Sequence, residues 1–319
     1  MTVTEAVAGA RRRMGRTGVW LNNAITASTP AAVQRRELSR IERLGYGSAW
    51  TGESPGGRDI FVKLGIWLAA TDRLVVGSGI ANLWARPGLT MSAGAGTLAE
   101  AYPGRLVLGI GVGFARQAES VGRSFGRPLS RVREYLDEMD TVPETALIPA
   151  VPAPEIPFPR LLAAVGPRML ALAAERADGA HPYASPVETT AAARQILGPD
   201  KLLVPEQLVI YDTDPARARE AARAYRARTL AMFRAVGDPA ASPYSRNMLR
   251  LGYTEEQVTT VDDRVIDAII AHGDETAIVR RLREHLAAGA DHVLVNAVGP
   301  DLPAVVSALE RIAPAVTEI

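Results

Sequence analysis

Arg105–Ala115 reads RLVLGIGVGFA. Leu106–Val107–Leu108 has the look of a buried strand, and the run then breaks into Gly109, Gly111 and Gly113 at alternate positions. Glycines at the end of a strand mark a close approach of backbone to something else. A dinucleotide turn is one candidate, and it requires G-x-G-x-x-G opening directly into a helix. Counted from Gly109 the third position is Phe114, and counted from Gly111 it is Arg116. The next helical pattern starts only at Pro128, so no helix N-terminus is available for a pyrophosphate. The nucleotide reading fails, which leaves a strand that ends at the rim of a sheet or barrel.

Working outward, short β-type runs alternate with helical patterns, the signature of a parallel sheet. Thr17–Leu21, Ser48–Thr51, Leu74–Ile80 and Arg105–Ile110 read as the first four strands. Leu161–Val165, Gly179–Tyr183, Glu206–Tyr211 and His292–Asn296 read as the next four. Helices are expected at Thr29–Leu44, Asp59–Ala70, Gly88–Ala101, Pro128–Asp140, Pro167–Arg176 and Pro186–Leu197. Further helices are expected from Asp214 to about Ala235, at Asp263–Ala271, at Asp274–Ala288 and at Leu302–Ile312. Eight strands, each followed by a helix, fit one α/β (β/α)8 TIM barrel of 319 residues better than two doubly wound domains. Residues 1–15 read as an N-terminal extension, 236–262 as an insertion or lid after the seventh strand, and PAVPAPEIPFP (Pro149–Pro159) as a connector without a domain break.

Composition narrows the chemistry. The formal net charge of +1 carries no polyelectrolyte signature, so neither nucleic acid nor a membrane surface is expected as a partner. No apolar run approaches the ~20 residues that span a bilayer, and the N-terminus lacks a secretory pattern, so a cytoplasmic protein is expected. The absence of cysteine excludes disulfides, thiolate catalysis and Cys-ligated metal centres. No H-x-H or H-E-x-x-H spacing suggests a metal site. Lys63 and Lys201 are the only lysines, and neither is well placed for a Schiff base.

AYPGRLVLGIGVG resembles the fourth strand of the luciferase-like monooxygenase superfamily, whose preceding helix ends in a similar Y/P-G-R step. GSAWTGES (Gly47–Ser54) resembles its second strand, Arg160–Tyr183 its fifth strand, helix and sixth strand, and GADHVLVN its eighth strand. The similarity spans roughly residues 16 to 315, and the best fit is to members that use the deazaflavin coenzyme F420. The resemblance implies a flavin ring at the C-terminal mouth, where barrel enzymes keep their chemistry. It implies a non-prolyl cis peptide at Gly79–Ile80 behind that ring. It also implies a phosphate site at Val165, Gly166, Pro167 and Arg168, where a strand meets a helix N-terminus. Asn82 and Gln117 take polar cofactor-contacting positions, Gly111 and Gly113 leave room for the ring, and the relatives' assembly suggests a homodimer.

Two positions depart from that pattern. Relatives with dehydrogenase activity carry Asp-His where this chain has Glu53–Ser54, and an acid where it has Phe114. A serine without a partner is a poor general base, because its hydroxyl pKa lies far above neutral. Glu53 stands as a cofactor contact or proton donor, and His181, at the end of the sixth strand, as the histidine to consider as a proton donor. His272 and His285 read as surface residues of helices and His292 as structural. The expectation is an F420-dependent oxidoreductase moving hydride between the deazaflavin and a small organic substrate, leaning to reduction of C=C or C=N bonds. The alternatives are an FMN-dependent monooxygenase and a catalytically weak flavin-binding relative.

Overall fold

A computed structural model describes residues 2–141 and 156–319. The Pro149–Pro159 connector therefore falls, up to position 155, outside the described residues. The chain begins with α1 (Val3–Met14), then β1 (Thr17–Leu21), α2 (Asn23–Ser28) and α3 (Ala31–Arg43). β2 (Ser48–Thr51), α4 (Ile60–Leu68), β3 (Val75–Ser78), β4 (Ala81–Asn82) and α5 (Gly88–Ala101) follow. Next come β5 (Leu106–Gly111), α6 (Ala115–Glu119), α7 (Pro128–Asp140), β6 (Arg160–Ala163), α8 (Pro167–Arg176), β7 (Gly179–His181) and α9 (Val187–Leu197). The remainder holds β8 (Leu202–Leu203), β9 (Glu206–Tyr211), α10 (Pro215–Val236), α11 (Pro243–Arg250), α12 (Glu255–Thr259) and α13 (Asp263–Ile269). It ends with β10 (Ile270–Gly273), α14 (Glu275–Ala287), β11 (Val293–Ala297) and α15 (Leu302–Val316).

The strands pair in parallel in the order β10-β9-β11-β1-β2-β3-β5-β6-β7-β8, with β4 beside β5. β8 stands at one end of that order and β9 near the other, yet only Val204 and Pro205 separate them in the chain. The result is an α/β fold with a curled parallel sheet. Backbone hydrogen bonds continue through the junction: Val204 N–H to Ala180 O and Asp291 N–H to Leu203 O, at 3.0 and 2.9 Å.

The curl gives the sheet two apolar faces. On its convex side Leu38, Ile41, Leu64, Trp67, Leu136 and Leu309 pack beneath the helices, each fully buried. Burying a side chain of this size contributes about 1.5–3 kcal/mol. On the concave side Trp20, Trp50, Val75, Val107, Leu161 and Leu294 meet one another and three residues of α1: Val7, Ala10 and Met14. The N-terminal extension is thus a helix that covers the concave apolar surface. Local chemistry sets the helix starts: Asp59 Oδ1 accepts the Phe61 and Val62 N–H groups at 2.9 and 3.0 Å, and Pro167 opens α8.

Several expectations need correction. The helix expected at Asp263–Ala271 stops at Ile269, because Ile270–Gly273 pairs with Leu208–Tyr211 and becomes a strand. A β-branched pair beside an open strand edge overrides the helical spacing. The 236–262 stretch, expected only as an insertion or lid, contains α11 and α12, and the segment between Gly113 and Pro128, expected to hold no helix, contains the short α6. The expected strand Leu74–Ile80 is divided at Gly79–Ile80. His272 is half-buried against Asp267 (2.8 Å) on a strand, and His285 is fully buried between Thr190 Oγ1 and Gln207 Oε1, at 2.8 and 3.0 Å. Burial holds the His285 pKa down to about 3. His292 is structural as expected, fully buried between Ser48 Oγ and Gly15 O.

Candidate active site at the C-terminal edge of the sheet

The division of the third strand is the feature around which the site is built. The Gly79–Ile80 peptide is cis. Three hydrogen bonds fasten it: Gly79 N–H to Thr51 O (2.9 Å), Glu53 N–H to Ile80 O (2.9 Å) and Trp20 Nε1–H to Gly79 O (3.0 Å). A Cβ at position 79 would lie 2.8 Å from Trp20 Nε1 and 2.9 Å from His181 Nε2. Only glycine lets both rings come this close to the bulge.

Glu53 sits directly behind the bulge and is almost wholly buried. Its Oε1 accepts the Ile60 N–H (3.1 Å), and its Oε2 accepts the Asn82 N–H (3.0 Å) and Arg86 Nη1 (2.9 Å). Arg86 Nη2 completes a forked pair by donating to Oε1, and also reaches Asp59 at 2.8 Å. Four N–H donors face this carboxylate and engage both of its oxygens. These contacts make Glu53 a tie between β2, β4 and α4.

A cavity of about 680 Å³ opens beside the bulge. Its apolar wall comes from Ile80 in the bulge and from Ile110, Val112, Leu162 and Ala163 at the ends of β5 and β6. Val165, Gly166, Pro167 and Arg168 bring the first turn of α8 to it, and Gly113 and His181 also line it. Phe114, Tyr183, Phe233 and Tyr244 form an aromatic cluster with centroids 5.8–6.3 Å apart, in tilted and edge-on contacts. Those rings join the rim to α10 and α11, so the 236–262 stretch lies against the cavity. Four arginines, Arg116, Arg168, Arg246 and Arg250, reach the same space, with Asp238 as the acid among the lining residues. The Arg250 guanidinium approaches Gly166 closely enough that a Cβ there would lie 3.0 Å from its Nη2.

The sequence-expected residues thus separate into two groups. Ile80, Gly113, Val165, Gly166, Pro167, Arg168 and His181 line the cavity; Glu53, Gly79, Asn82, Gly111 and Gln117 do not. The two glycines are each closely packed. At Gly111 a Cβ would lie 2.9 Å from Ala163 Cβ and 3.1 Å from Ile80 Cδ1, so the absence of a side chain there lets these two residues close on β5. Gly113 adopts φ +56°, and a side chain there would strike Gln117 Oε1. That carbonyl accepts the Phe114 N–H at 2.9 Å and Asn82 Nδ2 at 3.2 Å, while Gln117 Nε2 donates to Ser54 Oγ at 3.2 Å.

His181 is 1% exposed, and burial pulls its pKa down to about 4 against the pull of the Val204 carbonyl. Nδ1 lies 2.7 Å from that carbonyl oxygen, so Nδ1 carries the proton of the neutral ring. Nε2 then presents a lone pair and has no partner among the described residues. Near neutral pH this histidine turns a lone pair towards the cavity.

Sequence reading passed over three features. Glu206 is fully enclosed, with Asn296 Nδ2 on Oε1 (2.6 Å) and Ala184 N–H on Oε2 (3.0 Å); burial raises its pKa to about 7 against those donors. A lone acid opening an apolar strand was the available signal. Arg246 and Arg250 of α11 were the second, legible as an i,i+4 pair on a helix started by Ser242–Pro243. The Asn23–Ser54–Gln117 contacts had no sequence signal, since they join three separate loops. Among the described residues no cluster of His, Asp and Glu could hold a metal ion, and no helix is long and apolar enough to cross a membrane.

A 5,10-methylenetetrahydromethanopterin reductase of Archaeoglobus fulgidus is 27% identical over 298 residues, covering 82% of this chain and 88% of that protein. The structure of a coenzyme F420-dependent tetrahydromethanopterin reductase from Methanopyrus kandleri superposes with a TM-score of 0.69 at 19% identity, covering 94% and 99% of the two chains. An F420-dependent secondary alcohol dehydrogenase with an F420–acetone adduct gives 0.69 at 17% identity, covering 95% and 99%. The luciferase-like monooxygenase family model matches residues 16–292, most of the chain and all of the residues that line the cavity, and the protein belongs to that family.

Proposed function

We propose that this protein is a coenzyme F420-dependent oxidoreductase that passes hydride between the deazaflavin and a small organic substrate, with a lean towards reduction of C=C or C=N bonds. The cavity carries the reading: one space of about 680 Å³ joins the Gly79–Ile80 bulge, an apolar wall and an arginine-lined helix N-terminus. A flat ring with an anionic tail needs those three surfaces in one place. The similarity to the Archaeoglobus fulgidus reductase over most of both chains supports the same reading.

When bound, the deazaflavin supplies or takes up the hydride at its C5. Ile80, Ile110 and Leu162 offer the ring an apolar seat, and the fastened bulge keeps that seat rigid. The free N–H groups opening α8, with Arg168 and Arg250, suit an anionic tail. The Phe114–Tyr183–Phe233–Tyr244 cluster excludes water from the cavity wall. His181 Nε2 accepts a hydrogen bond from a ligand O–H or N–H. In the same proposal the curled sheet is a closed (β/α)8 barrel, one domain, with 236–262 as an insertion after the seventh strand. The hydrogen bonds through Leu203–Glu206 to both β7 and the β11 side support closure. A cytoplasmic homodimer completes the proposal, and size-exclusion chromatography with light scattering tests the assembly.

Titration with oxidised F420 and with FMN, followed by absorbance, tests the cofactor. F420 should bind tightly and FMN weakly, and Arg168→Ala with Arg250→Ala should weaken F420 binding while steepening nothing in stability. Tight FMN binding with oxygen-dependent turnover would overturn the reading.

A further inference from the structure

Behind the cavity wall, one acid holds the chain on both sides of a single tyrosine. Glu206, at the start of β9, is 2% exposed and is not among the residues that line the cavity. Its backbone N–H donates to Pro182 O at 2.9 Å, and its Oε2 accepts the Ala184 N–H at 3.0 Å. Tyr183, the residue between those two contacts, does line the cavity. Asn296, 4% exposed on the neighbouring β11, donates from Nδ2 to Glu206 Oε1 at 2.6 Å and so fixes the plane of the carboxyl group. Ser185 Oγ adds a hydrogen bond to Tyr183 O at 2.8 Å. Ala184 has φ +47°, the one non-glycine residue in the left-handed region among the described residues. In that region a Cβ crowds the carbonyl oxygen that follows, so alanine stays there only when outside contacts hold it. The Glu206 side chain supplies such a contact.

The ring held in this way joins two sides of the cavity. Tyr183 lies 4.9 Å, centroid to centroid, from Trp20, whose Nε1–H holds Gly79 O of the bulge at 3.0 Å. It also lies edge-on to Tyr244 of α11 at 5.8 Å. The bulge and α11 thus meet through Tyr183, and the direction of its side chain depends on the turn at Ala184. Without an acceptor on Glu206 the Ala184 N–H loses its partner, and the turn loses what holds it left-handed. We propose that Glu206 and Asn296 are positioning residues that hold the Tyr183 ring as a fixed wall against the ligand in the cavity. The inference rests on the reading of this cavity as the cofactor and substrate site. It adds that binding there is controlled from inside the sheet, by an acid that touches no ligand.

The test removes the hold and then removes the need for it. Glu206→Met keeps the length of the side chain and deletes the acceptor, while Glu206→Gln keeps a carbonyl oxygen for the Ala184 N–H. Ala184→Gly makes the left-handed turn accessible without outside contacts. Ala184→Val opposes the same turn from a half-buried position with Glu206 intact. These variants, Tyr183→Leu and the Glu206→Met/Ala184→Gly double variant are compared with the parent. The F420 dissociation constant comes from absorbance titration and KM from turnover of the holoenzyme, with each thermal midpoint measured alongside. Tyr183→Leu, Glu206→Met and Ala184→Val should each raise one or both constants by about threefold to tenfold, the range of one hydrogen bond. Glu206→Gln and the double variant should recover most of that loss, the first by restoring the acceptor and the second by relieving the turn. A lower midpoint in Glu206→Met with both constants within about twofold of the parent would make Glu206 structural only and refute the proposal. So would a loss that Ala184→Gly leaves unrepaired. Ala184→Val decides the question should Glu206→Met not fold. If the parent binds FMN in place of F420, the cofactor reading falls, and the same series run with FMN still decides this one. If the parent binds neither, both fall.

Discussion

Replacing Arg86 by methionine should damage the protein more than any change of a surface arginine. The side chains of Arg86 and Glu53 are 8% and 2% exposed, so solvent does little to screen the pair. Burial alone would lower the Arg86 pKa, but the hydrogen bonds and charges of Glu53 and Asp59 raise it. Arg86→Met keeps most of the aliphatic stem and removes both donors of the fork. Hydrogen bonds to a charged group contribute about 1.5–3 kcal/mol each, and breaking a buried pair by removing one partner costs about 3–5 kcal/mol. The Ile60 and Asn82 N–H groups remain on Glu53 at 3.1 and 3.0 Å and keep part of its solvation. A loss near the lower limit, about 3–4 kcal/mol, is therefore expected. Thermal unfolding followed by tryptophan fluorescence should show a midpoint about 5 °C below the parent for a chain of this size. Arg86→Lys keeps the charge but not the fork and should lose less. A midpoint for Arg86→Met within about 1 °C of the parent would refute the buried-pair reasoning. Because Glu53 N–H and Oε2 hold Ile80 and Asn82, the same variant should also bind F420 more weakly.

Three further outcomes are expected. Glu206, with its pKa raised to about 7 by burial, holds its proton in the folded protein where the unfolded chain has lost it. Stability should therefore fall by about 3 kcal/mol as pH rises from about 4.5 to beyond 7, and Glu206→Gln should flatten that slope in denaturant titrations at pH 5 and pH 8; an unchanged slope would remove the assignment. His181 is neutral above about pH 4, so kcat for the parent should show no inflection near 6.5 assignable to it; an inflection there that disappears in His181→Gln would contradict the burial-lowered pKa. Gly113→Ala places a Cβ at φ +56° against Gln117 Oε1, so it should destabilise by about 1–3 kcal/mol and weaken ligand binding together, and a variant as stable as the parent would show that the turn can relax.

The sequence by itself determined most of the element list and the parallel α/β class. Strand and helix signals are local: an apolar run such as Leu106–Leu108, an Asp59 cap, a proline at position 167 act within a turn of chain. It also located the Gly79–Ile80 bulge and the Val165–Arg168 helix start through likeness to relatives, and both adjoin the cavity. What each polar side chain does was decided only by tertiary structure. Glu53 and His181 were legible as chemically able groups, yet the Arg86 fork turns the first into a tie between elements and the Val204 carbonyl turns the second into an acceptor. Likewise Ile270–Gly273 became a strand because an edge was open beside it, and His285 became buried because α14 lays it against Gln207. The same holds for RLVLGIGVGFA, whose glycines make way for Ile80, Ala163 and Gln117. Periodicity reports which face of an element is apolar; charge state, tautomer and hydrogen-bond direction depend on partners far away in sequence, and only the folded chain brings those partners together.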